Sequence, residues 1–405
     1  MFRSFARIAT RSARLRLLAL LALALLPSLF AAPSGAADFR WRGMLDVVLA
    51  ENSNAFHTNR LTRGDNPYDP YRLRMFGESK VNDQLQVLSQ FVYDDASGLY
   101  VDGAYAIFTP WAERDLHVMA GKLPWAIGTW GPRTYSNRNP LIGAPLMYQH
   151  HTTLLWYGIP PSADVLLATA GAGARGVDYF GFPMGTGMPV IDDSYWDVGL
   201  TLAGSARPFE FAIGGVAGTP SWGSTSRDDN SGKTFLGRLG FAPRPDLRFG
   251  VSGAFGPYLK GALSPSMPAG KTVNDYNQKL LMADLEIMVG RIELRAEGVR
   301  NFFETPTVGE LSVNGGYGEL KYLFDSGLFL SGRWDTERFG KIANSSGELH
   351  PWDWNVERGE GGVGFRISRD ATVKLAYQHT RFETGVPGFN WRNESIVAGQ
   401  LSIGF

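Results

Sequence analysis

From residue 39 onward, apolar and polar side chains alternate one for one along much of the chain. In "FRWRGMLDVVLAEN", Phe39, Trp41, Leu45, Val47 and Leu49 share one parity, and Arg40, Arg42, Met44 and Asp46 hold the other. A period of two over ten or more residues predicts a long strand with one apolar and one polar face. "KLLMADLEIMV" sets Leu281, Ala283, Leu285, Ile287 and Val289 against Asp284 and Glu286, and "RIELRAEG" sets Ile292, Leu294 and Ala296 against Glu293, Arg295 and Glu297. About eighteen such segments begin near residues 39, 72, 85, 104, 115, 152, 164, 196, 208, 233, 246, 279, 291, 313, 327, 359, 371 and 394. The one near 104 is among the weakest, so sixteen is the alternative count. No segment keeps a 3.6-residue period long enough for a major helix.

The connections alternate in length. Short ones fall at 82–84, 205–208, 242–246, 289–291, 324–327 and 368–370; long ones fall at 51–71, 122–151, 174–195, 218–232, 256–278, 300–312, 335–358 and 381–393. One end of an up-and-down sheet then carries tight turns and the other carries large loops, as in bacterial outer-membrane barrels. A soluble β-sandwich would also bury one parity and expose the other. Strand number and length separate the two readings, because so many long meandering strands leave no edge only when the sheet closes on itself. The expected fold is all-β: a transmembrane antiparallel up-and-down barrel of about 18 strands, or 16.

The first 37 residues follow a different rule. Arg3, Arg7, Arg11, Arg14 and Arg16 precede the apolar run Leu17–Leu26, then Pro27 and "AAPSGAA", which is the order of a secretory signal peptide ending at Ala37. The expected organisation is a signal peptide over 1–37 and a barrel over 38–405. The whole chain has 39 basic and 39 acidic residues. Removing five arginines and no acids leaves 34 against 39, a net charge of −5 that argues against a nucleic-acid partner. The absence of cysteine excludes a disulfide scaffold, thiolate metal sites and a cysteine nucleophile. Phe39, Trp41, Phe209, Phe211, Tyr322 and Phe405 recur on the apolar parity near the short-turn end, where an interfacial aromatic girdle would lie.

The chain closes on "IVAGQLSIGF", with Phe405, Ile403, Leu401, Gly399 and Val397 on one parity. This resembles the C-terminal assembly signal of Gram-negative outer-membrane proteins. The resemblance implies a porin of general or substrate-selective type, weakly similar to anion- or phosphate-selective porins. It further implies residence in the cell outer membrane, lipid contact, recognition of Phe405, Ile403 and Leu401 by the barrel-assembly machinery, and a homotrimer.

The inward parity then carries the candidate pore lining: Arg40, Arg42, Arg72, Arg74, Lys80, Asp284, Glu286, Glu293, Arg295, Glu297, Arg333, Arg366 and Lys374. Bases dominate the first and last strands, which become neighbours on closure, and acids cluster at 284–297. That distribution predicts oppositely charged walls and a transverse field across a water-filled lumen. The alternative is that these charges pair and fill it. Loop 122–151 is the third long loop, the position that narrows the lumen in general porins. It offers Trp125, Trp130, Tyr135 and Tyr148 as rigid walls, Arg133 and Arg138 as fixed charge, and four prolines that restrict it.

Enzyme-like signals are weak. "GAGARG" (Gly171–Gly176) matches G-x-G-x-x-G and follows an expected strand, but the following "VDYFGFPMGTG" cannot form the required helix. His150 and His151 would point opposite ways in an extended chain, and no nucleophile–base spacing accompanies His57, His117 or His379. No metal or cofactor is expected. The expected function is passive diffusion of small hydrophilic solutes. The alternatives are a channel specific for a sugar, phosphate or aromatic acid, and a plugged, non-transporting barrel.

Overall fold

A computed structural model describes residues 38–52, 68–94, 98–175, 177–182, 187–192, 196–222, 230–383 and 393–405. The expected signal peptide and His57 lie outside the described residues. Strands β1 (Asp38–Asn52), β2 (Tyr71–Lys80), β3 (Leu85–Asp94), β4 (Gly98–Phe108), β5 (Leu116–Pro124), β6 (Trp196–Ala206), β7 (Phe209–Val216) and β8 (Thr234–Arg244) form the first half of one sheet. The second half is β9 (Leu247–Pro257), β10 (Asn277–Val289), β11 (Ile292–Thr305), β12 (Gly309–Leu323), β13 (Leu328–Phe339), β16 (Asn355–Arg366), β17 (Ala371–Glu383) and β18 (Asn393–Gly404). These sixteen strands pair antiparallel in a single ring, closed where β18 meets β1 with Leu401 beside Val47 and Ile403 beside Leu45. A separate hairpin, β14 (Lys341–Ala343) and β15 (Leu349–Pro351), stands in the loop between β13 and β16.

The barrel therefore has sixteen strands, the alternative count. The two surplus segments, near 152 and 164, are not strands. "ADVLLA" (Ala163–Ala168) is helical, made of good helix formers and started by Ser162, whose Oγ accepts the Val165 amide at 3.3 Å. The weak segment near 104 is real. A bulge at its pairing with β3, where Gln90 meets Gly103 and Phe91 meets Val101, puts Asp102 out of step. Period two restarts after it and the alternation loses phase. The expected long loop at 300–312 is also absent. β11 and β12 continue to Thr305 and from Gly309, joined by a three-residue turn in which Thr305 Oγ1 accepts the Val308 amide and donates to the Gly309 carbonyl.

One parity faces outward all round. Val47, Leu49, Val198, Leu200, Ile213, Phe235, Val251, Leu281, Leu330, Leu375 and Val397 are all exposed, a band no water-soluble surface would carry. Along β1, Phe39 to Leu49 spans roughly 33 Å, or about 25 Å once tilted by ~40°, the height of a barrel's lipid-facing belt. At the tight-turn end the rings of Phe209, Phe241 and Phe249 contact one another in tilted pairs across three strands, with centroids 5.2 and 5.1 Å apart.

Candidate functional site

The inside of this barrel changes character along its height. Near the tight turns the inward positions are charged, for example Glu286 and Asp284 on β10, Glu293 and Arg295 on β11, and Lys321 and Glu319 on β12. Higher on the same strands they become Met282 and Leu280, Val299 and Phe303, then Val313 and Leu311, all buried. They are covered by the chain between β5 and β6. Trp125, Ile127, Trp130, Met147, Tyr148, Leu154, Val190 and Ile191 share one apolar cluster with that wall. The segment expected as loop 122–151 thus begins later, since Lys122–Pro124 belong to β5, and extends through residue 192. Within it, "GAGARG" follows the helix Ala163–Ala168 and not the expected strand, and its Ala172–Arg175 form a helical turn.

Wall charges hold this segment by its backbone. Lys374 Nζ donates to the carbonyls of Ser136, Asn139 and Leu141 at 2.7, 2.9 and 3.0 Å. Glu360 Oε1 accepts the Ile142 and Gly143 amides at 3.2 and 3.0 Å. Glu297 accepts the Thr129 amide at 2.5 Å and the Tyr148 hydroxyl at 2.6 Å. Asp335 accepts the Leu146 amide at 3.3 Å, at the start of a short helical turn. Farther out, Asp353 accepts the Thr153 and Gly171 amides at 2.5 and 2.7 Å. Its burial pushes its carboxyl up to about 6, against the amides that favour its charged form.

An aromatic joint completes the docking. The Trp130 ring lies 5.8 Å from Tyr148 in a stacked pair, with the Arg133 guanidinium 5.1 Å and that of Arg333 5.6 Å from its centroid. Glu319 pairs with both arginines. Arg333 also reaches Glu360 at 2.5 Å and Asp335 at 3.4 Å. Two cations this close are tolerable in a dry site because carboxylates and a π face surround them.

The sequence-predicted residues therefore divide. Asp284, Glu297, Arg333 and Lys374 are buried, and so are Trp130, Arg133 and Tyr148; all but Asp284 are docking groups or docked groups. Arg74 is buried against Asp46 at 3.4 Å, and Arg72 is buried 3.9 Å from Asp69. The acidic wall is neutralised locally. Asp284 binds Arg238 at 2.6 Å, Glu286 lies 3.4 Å from Arg295, and Glu293 binds Lys321 at 2.8 Å. These three acids are thus matched locally rather than left to face an opposite wall: Glu286 and Glu293 lie directly across from Arg295 and Lys321 on the adjoining strand, and Asp284 reaches over β9 to Arg238. Lys80 is exposed and pairs with Asp83 at a turn, and Arg366 is exposed near the tight-turn rim.

Beneath the inserted segment, toward the tight turns, a cavity of about 1050 Å³ remains. Arg40, Arg42, Glu78, Gln90, Trp125, Tyr135, Arg138 and Arg369 are among the residues that line it. Of the residues singled out from sequence, Arg40, Arg42, Trp125, Tyr135 and Arg138 come together here. Sequence reasoning missed Phe76, Tyr105, Trp196 and Arg369 as lining groups. It also missed the docking role of Glu360, Asp335 and Arg358, the last donating to the Ala144 carbonyl at 3.3 Å and to Gln149 Oε1 at 3.2 Å. The available signal was the inward parity of β10–β13, which turns apolar at Met282, Val299 and Val313, so that both faces of the strands are apolar at one height. A water-filled lumen would not need that.

No protein-family model matches the chain, and no curated protein does. Among solved structures, an OmpF of Salmonella typhi in complex with daunomycin is 11% identical over 92% of this chain and 99% of its own, with a TM-score of 0.57. An anion-selective porin from Comamonas acidovorans is 10% identical over 91% of this chain and 100% of its own, TM-score 0.55. A trimer form of OmpT, an outer-membrane protein of Vibrio cholerae, is 11% identical over 91% and 99%, TM-score 0.52. The fold is that of the outer-membrane porins. At these identities the likeness carries architecture and no side-chain role.

Proposed function

We propose that this protein resides in the outer membrane of a Gram-negative bacterium as a passive diffusion channel for small hydrophilic solutes, with the segment after β5 setting the cutoff. The observation that carries this reading is the cavity of about 1050 Å³ inside a closed barrel, lined by exposed Arg42 and Arg138 among aromatic side chains. A barrel of sixteen strands is wide enough to enclose an aqueous path even with a segment folded inside. Because the inserted segment packs against both the β8–β13 side and the β17–β18–β1 side, the route runs along β2–β6, past Tyr135 and Tyr105. The expected signal peptide over 1–37 and the terminal Phe405 fit export and barrel assembly.

Liposome swelling tests the reading: purified protein should admit a pentose faster than a disaccharide, and equal exclusion of both contradicts it. The apolar docking of the inserted segment favours a second reading, a plugged barrel that conducts nothing, and that exclusion is the result it predicts. A homotrimer is proposed from the trimeric neighbour. Sedimentation in detergent should give the mass of three chains; a one-chain mass counts against it.

A further inference from the structure

The cavity beneath the inserted segment pairs unneutralised arginines with aromatic rings. Arg42 lies directly across from Phe76 in the β1–β2 ladder. The Phe76 ring meets Tyr135 edge to face at 5.5 Å. Tyr135 begins the helical turn that carries Arg138, whose amide donates to the Tyr135 carbonyl at 2.9 Å. Both guanidiniums belong to exposed residues, and among the described residues no carboxylate lies within 4 Å of either, whereas Arg40 is taken by Asp38 at 2.6 Å. The rings are fixed. Tyr135 donates to Gln90 at 2.7 Å, Gln90 is held by Asp102 at 2.8 Å, and the buried Arg74 lies 5.6 Å from the centre of the Tyr135 ring.

From this arrangement we infer that the cavity is a binding site for a small aromatic carboxylate, its ring against Phe76 and Tyr135 and its carboxylate on Arg42 and Arg138. A simple inorganic anion would use the guanidiniums and gain nothing from the rings. A sugar would use the rings and leave two charges unmatched. An aromatic acid satisfies both, since a guanidinium matches a carboxylate with two parallel N–H donors and an edge-to-face pair offers apolar area with a fixed orientation. The volume holds such a molecule with room for water, as solute sites of this size do. The inference rests on the channel reading for the solute's route and on the cavity alone for its binding.

Titration calorimetry on the full barrel in detergent, with benzoate and acetate as probes, tests it. Benzoate should bind saturably and acetate, equal in charge, should not. R42Q and R138Q should each weaken benzoate roughly tenfold, and F76L should weaken it while leaving the charges in place. These residues are exposed or half-buried, and an unchanged circular dichroism spectrum establishes folding. Absence of saturable benzoate binding, or equal binding of benzoate and acetate, overturns the site. Benzoate binding in a barrel that excludes every sugar upholds the site and removes only the channel reading; sugar passage with no benzoate binding does the reverse.

Discussion

At the residue scale, the inward charges serve the inserted segment first and the solvent second. Lys374 is the clearest case, with its ammonium spent on three backbone carbonyls that no other described group takes up. K374M keeps much of the side-chain volume and leaves those carbonyls in a dry site, so it should cost roughly 2–4 kcal/mol. A lowered urea midpoint at unchanged strand content would show this; an unchanged midpoint would mean that the segment docks through apolar contacts alone. Arg133 and Arg138, five residues apart, illustrate why charge position could not be read from sequence. Both look like fixed positive charge on one loop. Arg133 is buried on Glu319 and Trp130, while Arg138 is exposed on the cavity, and only tertiary contact decides which is which.

At the element scale, the strands were legible because period two survives wherever one face meets lipid. The 39, 279 and 291 segments appear as β1, β10 and β11, and the closing β18 pairs with β1 as the barrel reading of "GQLSIGF" required. Illegible elements have local causes: the bulge at Asp102 breaks phase in β4, the stretch near 152 is buried in a packed interior that rewards apolarity without period, and the one near 164 is a short helix that buries Leu166 alone. The inserted segment also carries a titration. His150 is 1% exposed, and burial, then His151 and Arg358, lower its imidazole to about 3 from an ordinary 6.5. The unfolded chain takes up that proton below about 6.5 and the folded chain only near 3, so stability rises with pH through this window and is lost as pH falls. Asp353 acts in the opposite sense: its carboxyl keeps a proton up to about 6 when folded and only to 3.8 when free, so its contribution falls as pH rises between those values. H150Q should therefore flatten the acid-side loss of stability between pH 6.5 and 4, followed by tryptophan fluorescence during urea titration. An unchanged slope would place the acid sensitivity elsewhere.

At the scale of the whole molecule, a lipid-facing barrel encloses two stacked interiors, a packed one toward the long loops and a wet cationic one toward the tight turns. The barrel followed from loop rhythm and parity, and the count is sixteen because the segments near 152 and 164 are not strands. What the interior admits depends on the width left between the inserted segment and the β2–β6 wall, a quantity set by side-chain packing and invisible to periodicity. Arg42, Arg138 and Arg369 give the wet half an excess of positive charge, so a path through it should favour anions, and R138Q should reduce that preference whereas R133Q should lower stability. Single-channel recording in a planar bilayer under a potassium chloride gradient tests the central claim most directly. The account predicts discrete conductance steps with an anion-favouring reversal potential that moves toward cations in R138Q; a correctly folded barrel that inserts and passes no current would contradict it.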